Sequence, residues 1–337
     1  MHAITIGLDI AKNVFQVHGE DAAGRVVVSR RLGRANVERF FAALPPALVG
    51  MEACGSSHHW ARVLTALGHD VRLMPAAYVK PYVKRNKTDR RDAEAICEAV
   101  RRPTMRFVAV KSVEQQCARA VHRARDLLVR QRTQLMNAIR GMLAEMGIVA
   151  AQGPKGFAQL IELVEGRDAA IPAALLASLA ALTRQWRQLA DEVGALDARI
   201  VAFARSDAAA RRLMTIPGVG PVTAHAVVAA IGEGRQFRSA RDFAAWVGLT
   251  PKEASSGDKR QSGGISRAGD GSLRRLFVLG ASSWLRQVGH RPDKAGPWLT
   301  GLLARRPVKV AMVAQAAKTA RIVWAVLASG QEYRAPA

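Results

Sequence analysis

Acidic residues are scarce in this chain. Its 337 residues hold 27 Asp and Glu against 50 Lys and Arg, a formal net charge of +23. Such a balance suits a polyanionic partner, because neutralising phosphates releases condensed counterions. No polybasic amphipathic anchor stands out, which favours nucleic acid over an anionic membrane surface. Cysteine is scarcer: Cys54, Cys97 and Cys117 are odd in number and scattered, so neither a disulfide framework nor a zinc spacing follows. Cys54 with His58 and His59 has donor types for a metal, although helix-face residues are the plainer reading. The first fifteen residues lack a basic start, and Asp9 and Lys12 interrupt what would be the core of a signal peptide. Long hydrophobic runs are missing too. The most apolar late stretch, 308–327, contains Lys309, Lys318 and Arg321, which predicts an amphipathic helix and no membrane span. These absences predict a protein of a reducing cytoplasm. No internal repeat or low-complexity tract appears, and 49% hydrophobic residues are ample for real cores.

The acids that are present fall in a pattern. Asp89 and Asp92 lie three residues apart in Lys87-Thr88-Asp89-Arg90-Arg91-Asp92-Ala93, so a helix there sets both carboxylates on one face. Asp9 ends the apolar run Ile4-Thr5-Ile6-Gly7-Leu8, and Glu52 ends Leu48-Val49-Gly50-Met51. Acids at the ends of buried strands, joined by a helical acid pair, are what a magnesium-dependent phosphoryl-transfer site needs, because hard cations take oxygen ligands. Singly, each carboxylate reads better as a solvated or salt-bridged surface acid.

Three regions follow from the patterning. Residues 1–105 alternate strands (4–9, 14–17, 26–31, a strand ending at Glu52, 70–74) with helices (36–43, 57–67, 87–101), an order that matches a ribonuclease-H-like sheet with its acids at one end. Residues 106–205 lose the strand signals. Leu175, Leu179, Leu182, Trp186, Leu189, Val193, Leu196, Ile200 and Phe203 step by four and three, the seam of a left-handed coiled coil. That seam fits either self-association or an intramolecular hairpin with a second helix over 113–146, the two separated by Pro154 and Gly156. In 206–337, Pro217-Gly218-Val219-Gly220-Pro221 feeds an apolar helix, either a helix-hairpin-helix grip on phosphate through free backbone N–H groups or a plain connector. A polar loop over 252–271 and a helix over 272–286 follow.

Within that loop lies Ser255-Ser256-Gly257, bordered by Lys259, Arg260 and Arg267. Neighbouring cations ease deprotonation of a serine and hold the phosphate it attacks, although a serine in a polar loop is commonplace. Taken together, Gly7-Leu8-Asp9, Met51-Glu52-Ala53-Cys54-Gly55 and the Lys87–Ala93 stretch resemble the motifs of the DEDD transposases of the insertion-sequence "one-ten" family. Ile216-Pro217-Gly218-Val219-Gly220, Gly248-Leu249-Thr250-Pro251 with Ser255-Ser256-Gly257, and Ser266-Arg267-Ala268-Gly269 with Leu273-Arg274-Arg275 resemble that family's C-terminal domain. The resemblance runs in order over nearly the full length.

The resemblance implies α/β plus all-α architecture: a RuvC-like ribonuclease-H fold in 1–105, a helical coiled-coil middle for oligomerisation in 106–205, and a mainly helical C-terminal transposase domain in 206–337 with a helix-hairpin-helix element. It implies a recombinase that excises and inserts its own element under the direction of a structured, non-coding bridge RNA. Asp9, Glu52, Asp89 and Asp92 would hold Mg²⁺ or Mn²⁺, and Ser256, with Ser255 beside it, would form a phosphoserine link to DNA. Lys87, Arg90, Arg91, Gly218, Gly220, Lys259, Arg260, Arg267, Arg274 and Arg275 are the expected nucleic-acid contacts. The implied partners are element-end and target DNA, the bridge RNA, and further copies of the chain, as a dimer to tetramer, at the bacterial nucleoid with no membrane. Asp258 departs from the glycine or small residue common in relatives. The rival reading is a metal-only RuvC-like Holliday-junction resolvase, which needs the four acids and leaves Ser256 idle.

Overall fold

The computed structural model describes residues 3–335 apart from Arg85, Lys87, Asp258 and Arg260. The chain divides into two compact units, Met1–Val113 and Glu114–Ala337.

The first unit is a five-stranded sheet clad by helices. Its elements are β1 (Thr5–Ile10), β2 (Val14–Glu20), β3 (Val26–Gly33), α1 (Val37–Ala42), β4 (Leu48–Glu52), α2 (Ser57–Ala66), β5 (Asp70–Met74), α3 (Ala76–Val79) and α4 (Asp89–Val100). The strand order is β3-β2-β1-β4-β5. β1, β2 and β3 form an antiparallel meander, while β4 and β5 run parallel to β1 and to each other. This mixed sheet is consistent with a RuvC-like nuclease fold, and the strand at 70–74 falls where the sequence places it.

Alternation along the strands explains the two faces. Ile6 and Leu8 of β1, Phe15 and Val17 of β2, and Val49 and Met51 of β4 point to one face, where Val37, Phe41, Trp60 and Leu64 of α1 and α2 complete a core. The opposite face of the sheet carries α4. There Gly7 and Gly50 leave room: a Cβ on Gly7 would lie 2.0 Å from the Ala93 carbonyl oxygen and 2.5 Å from the Cys97 nitrogen, and one on Gly50 would lie 2.8 Å from Val100 Cβ. Glycine inside a strand is where another backbone comes close. Helix α4 thus sits directly on β1, with Ile96, Ala99 and Val100 packed against Met74 and Val79.

The second unit is mainly helical: α5 (Val113–Ala144), α6 (Pro154–Glu165), α7 (Ala173–Ser206), α8 (Ala208–Met214), α9 (Pro221–Ile231), α10 (Ala240–Val247), β6 (Pro251–Glu253), β7 (Ser262–Ile265), α11 (Gly271–His290), α12 (Pro297–Arg305) and α13 (Val308–Ser329). Helix α6 stands where Pro154 and Gly156 read as a break. Proline at the first helical position lacks only an N–H that would be unpaired anyway, so it starts a helix there. Gly156 tolerates the Ala151 carbonyl, which would lie 2.0 Å from a Cβ. Phe157, Leu160, Ile161 and Val164 of α6 form a core with Ile139 and Leu143 of α5 and Leu179 of α7. Of the seam on α7, Leu179, Val193 and Ile200 are buried within the chain; Leu175, Leu182, Trp186, Leu189 and Leu196 are half-buried. Arg125 of α5 pairs with Asp197 of α7 through both guanidinium and carboxylate ends.

Helix α13 is long and apolar enough to cross a membrane by length and composition alone. Its Ala316, Ala320, Val323, Val326 and Leu327 instead join a core built with Val227, Phe243, Val247 and Phe277.

Candidate active site

Four acids of the first unit share one end of the sheet. Parallel pairing sets Leu8 opposite Met51, so Asp9 and Glu52 follow each other at the C-terminal ends of adjacent strands. By alternation both face α4, each two residues beyond a glycine that lets the helix in. Asp89 and Asp92 occupy the first turn of α4, which Thr88 caps by accepting the Arg91 N–H on Oγ1 at 3.3 Å. Carboxylates there are favoured by the positive end of the helix dipole.

Electrostatics tie the four together. The Asp9 carboxyl is pushed up to about 6, first by burial and then by the charges of Asp92, Asp89 and Glu52, with an Ile10 backbone hydrogen bond opposing. Like charges in one place favour a proton or a cation, and an all-oxygen donor set fits a hard divalent ion. The Cys54 thiol lies in the same field: burial, then Glu52 and Asp9, push it up. His58 is otherwise engaged, since its Nδ1 accepts the Lys111 backbone N–H at 3.2 Å. His59 packs edge-on against Trp60. The Cys54, His58 and His59 residues therefore do not form a ligand set here.

The serines sit on a hairpin in the second unit. The sequence reads as a polar loop, yet β6 and β7 pair antiparallel, and Lys259 N–H donates to the Ser256 carbonyl at 3.2 Å. Short strands rich in glycine and serine carry too little apolar alternation to be read in advance. The Ser255 hydroxyl is held inside the hairpin: it donates to Glu253 Oε1 at 3.3 Å and accepts the Gln261 N–H at 3.2 Å. Ser256 is exposed at the turn, next to Gly257 at φ +57°.

Around it, the motif glycines make close approaches. A Cβ on Gly248 would meet the Ala268 carbonyl at 2.3 Å, and one on Gly269 the Trp246 carbonyl at 1.7 Å. Arg274 reaches into this junction, donating to the Val247 carbonyl at 2.9 Å and the Ala268 carbonyl at 2.7 Å. Arg275 pairs with Asp126 of α5. Both guanidinium groups hold the unit together. Arg90, Lys259 and Arg267 are exposed, and Arg91 donates to the Asn86 carbonyl at 2.9 Å. Lys87 and Arg260, expected nucleic-acid contacts, lie outside the described residues, as does Asp258.

The Gly-Val-Gly turn joins α8 to α9, with Gly220 as N-cap and Pro221 in the first turn. Gly218 has φ +81°, and a Cβ on it would lie 2.8 Å from the Gly280 carbonyl of α11. A Cβ on Gly280 would in turn lie 2.0 Å from the Gly218 carbonyl. Two residues that sequence reasoning passed over meet nearby: His122 Nε2 of α5 lies 2.7 Å from His225 Nδ1 of α9, and Phe203 packs edge-on against His225. Neither histidine belongs to a motif, and only the fold reveals the pair.

Two family models match the chain. One for DEDD transposases of the IS110 type covers residues 6–148, and one described as "Transposase IS116/IS110/IS902 family" covers residues 210–294. A "Probable family 20 transposase" of Pseudomonas aeruginosa is 49% identical over 99% of each chain. The "Transposase for insertion sequence element IS1111A" of Coxiella burnetii is 41% identical over 98% of this chain and 91% of its own. The corresponding protein for IS1328 of Yersinia enterocolitica is 37% identical over 96% of this chain and 97% of its own.

Proposed function

Since the chain belongs to the IS116/IS110/IS902 family of transposases, we propose that it moves its element by serine-mediated strand exchange with the help of a metal-binding acid quartet. The observation that carries the reading is the placement of Asp9 and Glu52 at the ends of adjacent parallel strands, with Asp89 and Asp92 in the first turn of the helix on the same face. In this reading residues 1–105 hold the acids, 106–205 serve self-association into a dimer or tetramer, and 206–337 carry the serine and grip nucleic-acid backbone. Asp9, Glu52, Asp89 and Asp92 would hold Mg²⁺ or Mn²⁺. Bound there, the cation supplies Lewis-acid stabilisation of the charge that develops at phosphorus.

The chain's own groups do the rest. Ser256 Oγ attacks a DNA phosphorus, and the bond from that phosphorus to the leaving strand's oxygen breaks. The serine proton passes to solvent, and the leaving oxygen takes a proton from solvent and departs as a hydroxyl. A hydroxyl of the incoming strand then attacks the phosphoserine, joins the new strands and restores Ser256. The covalent link conserves the energy of the broken phosphodiester, so rejoining needs no external source. Engagement of the Ser255 hydroxyl within the hairpin supports Ser256 as the nucleophile. Sequence choice is assigned to a structured bridge RNA that pairs with donor and target DNA, and the net charge of +23 suits a chain that holds both polymers. The protein works at the nucleoid in the cytoplasm.

The test is covalent trapping. Protein, flanking RNA and labelled element-end DNA are incubated with magnesium and run on a denaturing gel beside Ser256→Ala. A protease-sensitive shifted band that Ser256→Ala lacks is the expected result. Cleaved DNA without an adduct hands the case to the metal-only nuclease. Asp89→Asn and Glu52→Gln are expected to stay folded and to recombine nothing; full recombination by either removes the quartet.

A further inference from the structure

A second donor cluster lies in the first unit, of a different chemical kind. His18 and Glu20 alternate on β2, and Cys97 lies two turns into α4, on the face that Gly7 admits. All three residues are buried, and one donor atom from each lies within 4.8 Å of the others. We propose that His18, Glu20 and Cys97 form a binding site for a zinc-class divalent cation that ties β2 to the helix bearing Asp89 and Asp92.

Two observations carry this assignment. The first is spacing. His18 Nε2 lies 3.3 Å from Glu20 Oε1. Metal–nitrogen and metal–oxygen bonds of about 2.0–2.1 Å at a tetrahedral angle leave the two donors about 3.3 Å apart, so a cation can replace the proton these atoms now share. The second is how Glu20 is held: its Oε2 pairs with Arg101 at 2.6 Å, which fixes the carboxylate with Oε1 turned to the imidazole.

The donor set selects the ion. A thiolate, an imidazole and one carboxylate favour zinc or cobalt over magnesium, whereas the four carboxylates of the catalytic cluster favour a hard cation. Without a cation the Cys97 thiol is protonated, because burial and Glu20 push it up to about 12. Binding therefore forms one metal–sulfur bond and releases one proton to solvent. The Thr5 carbonyl, 3.6 Å from Cys97 Sγ, accepts the thiol proton in the cation-free protein.

Helix α4 gains from this site a fixed point two turns below its acids. The inference does not rest on the transposase reading, and its test uses the full chain without DNA. Protein stripped by chelation is titrated with Co²⁺ in the presence of excess Mg²⁺, and thiolate-to-cobalt charge transfer is followed in the near ultraviolet. One equivalent per chain is expected, with the band lost in Cys97→Ser, weakened about tenfold or more in affinity by His18→Gln, and kept in Cys54→Ser and Asp9→Asn. Should Cys97→Ser fail to fold, X-ray absorption on the zinc-loaded wild-type chain decides: a sulfur shell at about 2.3 Å is expected. A zinc shell of oxygen and nitrogen only, or a cobalt band that survives Cys97→Ser and disappears in Cys54→Ser, overturns the proposal. The cluster would then be an ion-pair chain of His18, Glu20 and Arg101 with a thiol packed beside it.

Discussion

Gly7→Ala is the substitution that most directly tests how the acids are positioned. The new methyl would lie 2.0 Å from the Ala93 carbonyl oxygen, 2.5 Å from the Cys97 nitrogen and 2.9 Å from Cys97 Cβ, all on α4. Real Cβ contacts essentially never fall below 3.0 Å, so the helix must retreat by about 1 Å (from 2.0 to 3.0 Å). The first two obstacles are backbone, which cannot rotate aside as a side chain does. Overpacking of this kind costs on the order of 1–3 kcal/mol, and backbone obstruction puts Gly7→Ala at about 3 kcal/mol or above. For a domain of about 100 residues, each kcal/mol moves the midpoint by roughly 4–8 °C. The retreat also carries Asp89 and Asp92 away from Asp9, and a misplacement of about 1 Å costs on the order of 100-fold in rate.

Gly50→Ala is the matched control. Its methyl would meet Val100 Cβ at 2.8 Å and Met74 Cε at 3.1 Å, both side chains, one of them flexible. It should cost about 1 kcal/mol and leave most activity. The assay is calorimetry of the full chain, following the transition of the first unit, together with strand cleavage in magnesium. A Gly7→Ala protein that melts and cleaves like wild type, or a Gly50→Ala protein that suffers more than Gly7→Ala, refutes the idea that α4 is seated through Gly7.

The other tests concern charge and the second unit. Asp9 binds its proton more tightly folded than unfolded, so stability is lost as pH rises from about 4 through about 6 in chelator. Screening of a half-buried carboxylate limits the effect to the order of 1 kcal/mol; Asp9→Asn should flatten the melting profile across that window, and an unchanged slope would remove the acid cluster as its source. His122 moves the other way: burial, then His225, push it down to about 4, and burial pushes His225 down as well. Stability of the second unit is therefore complete above about 6.5 and lost as pH falls toward 4; thermal melts of wild type and His122→Gln at pH 7.5 and 5 should diverge, and parallel curves would contradict the pairing. Gly280→Ala sets a methyl 2.0 Å from the Gly218 carbonyl and should destabilise the second unit by about 1–3 kcal/mol. Its calorimetric transition should drop while that of the first unit stays in place; a joint shift would count against the division into two units.

What the sequence made legible, and what it hid, follows from the range of the forces involved. Asp9, Glu52, Asp89 and Asp92 stand out because strand alternation and helix capping are local: each acid ends an apolar run or opens a helix, and the fold then brings the ends together. The five strands were readable for the same reason. Helix α6 was obscured because proline and glycine serve as breakers and also as helix starters, and only the packing of Phe157 and Ile161 decides which. The β6–β7 hairpin has no apolar alternation to display, so pairing across the turn is its only signature. Gly7 and Gly50 appear in the sequence as members of motifs, but their part is to be absent: each leaves out a side chain where α4 crosses, two residues before an acid on the same face. That spacing is a consequence of strand period two. At Gly7 the obstacle to a Cβ is the helix backbone itself, and at Gly50 it is side chains, so the same spacing is strict on β1 and looser on β4. Gly-x-Asp and Gly-x-Glu are then one mechanical solution used twice, on β1 and β4, and the acids are held by packing before any cation arrives.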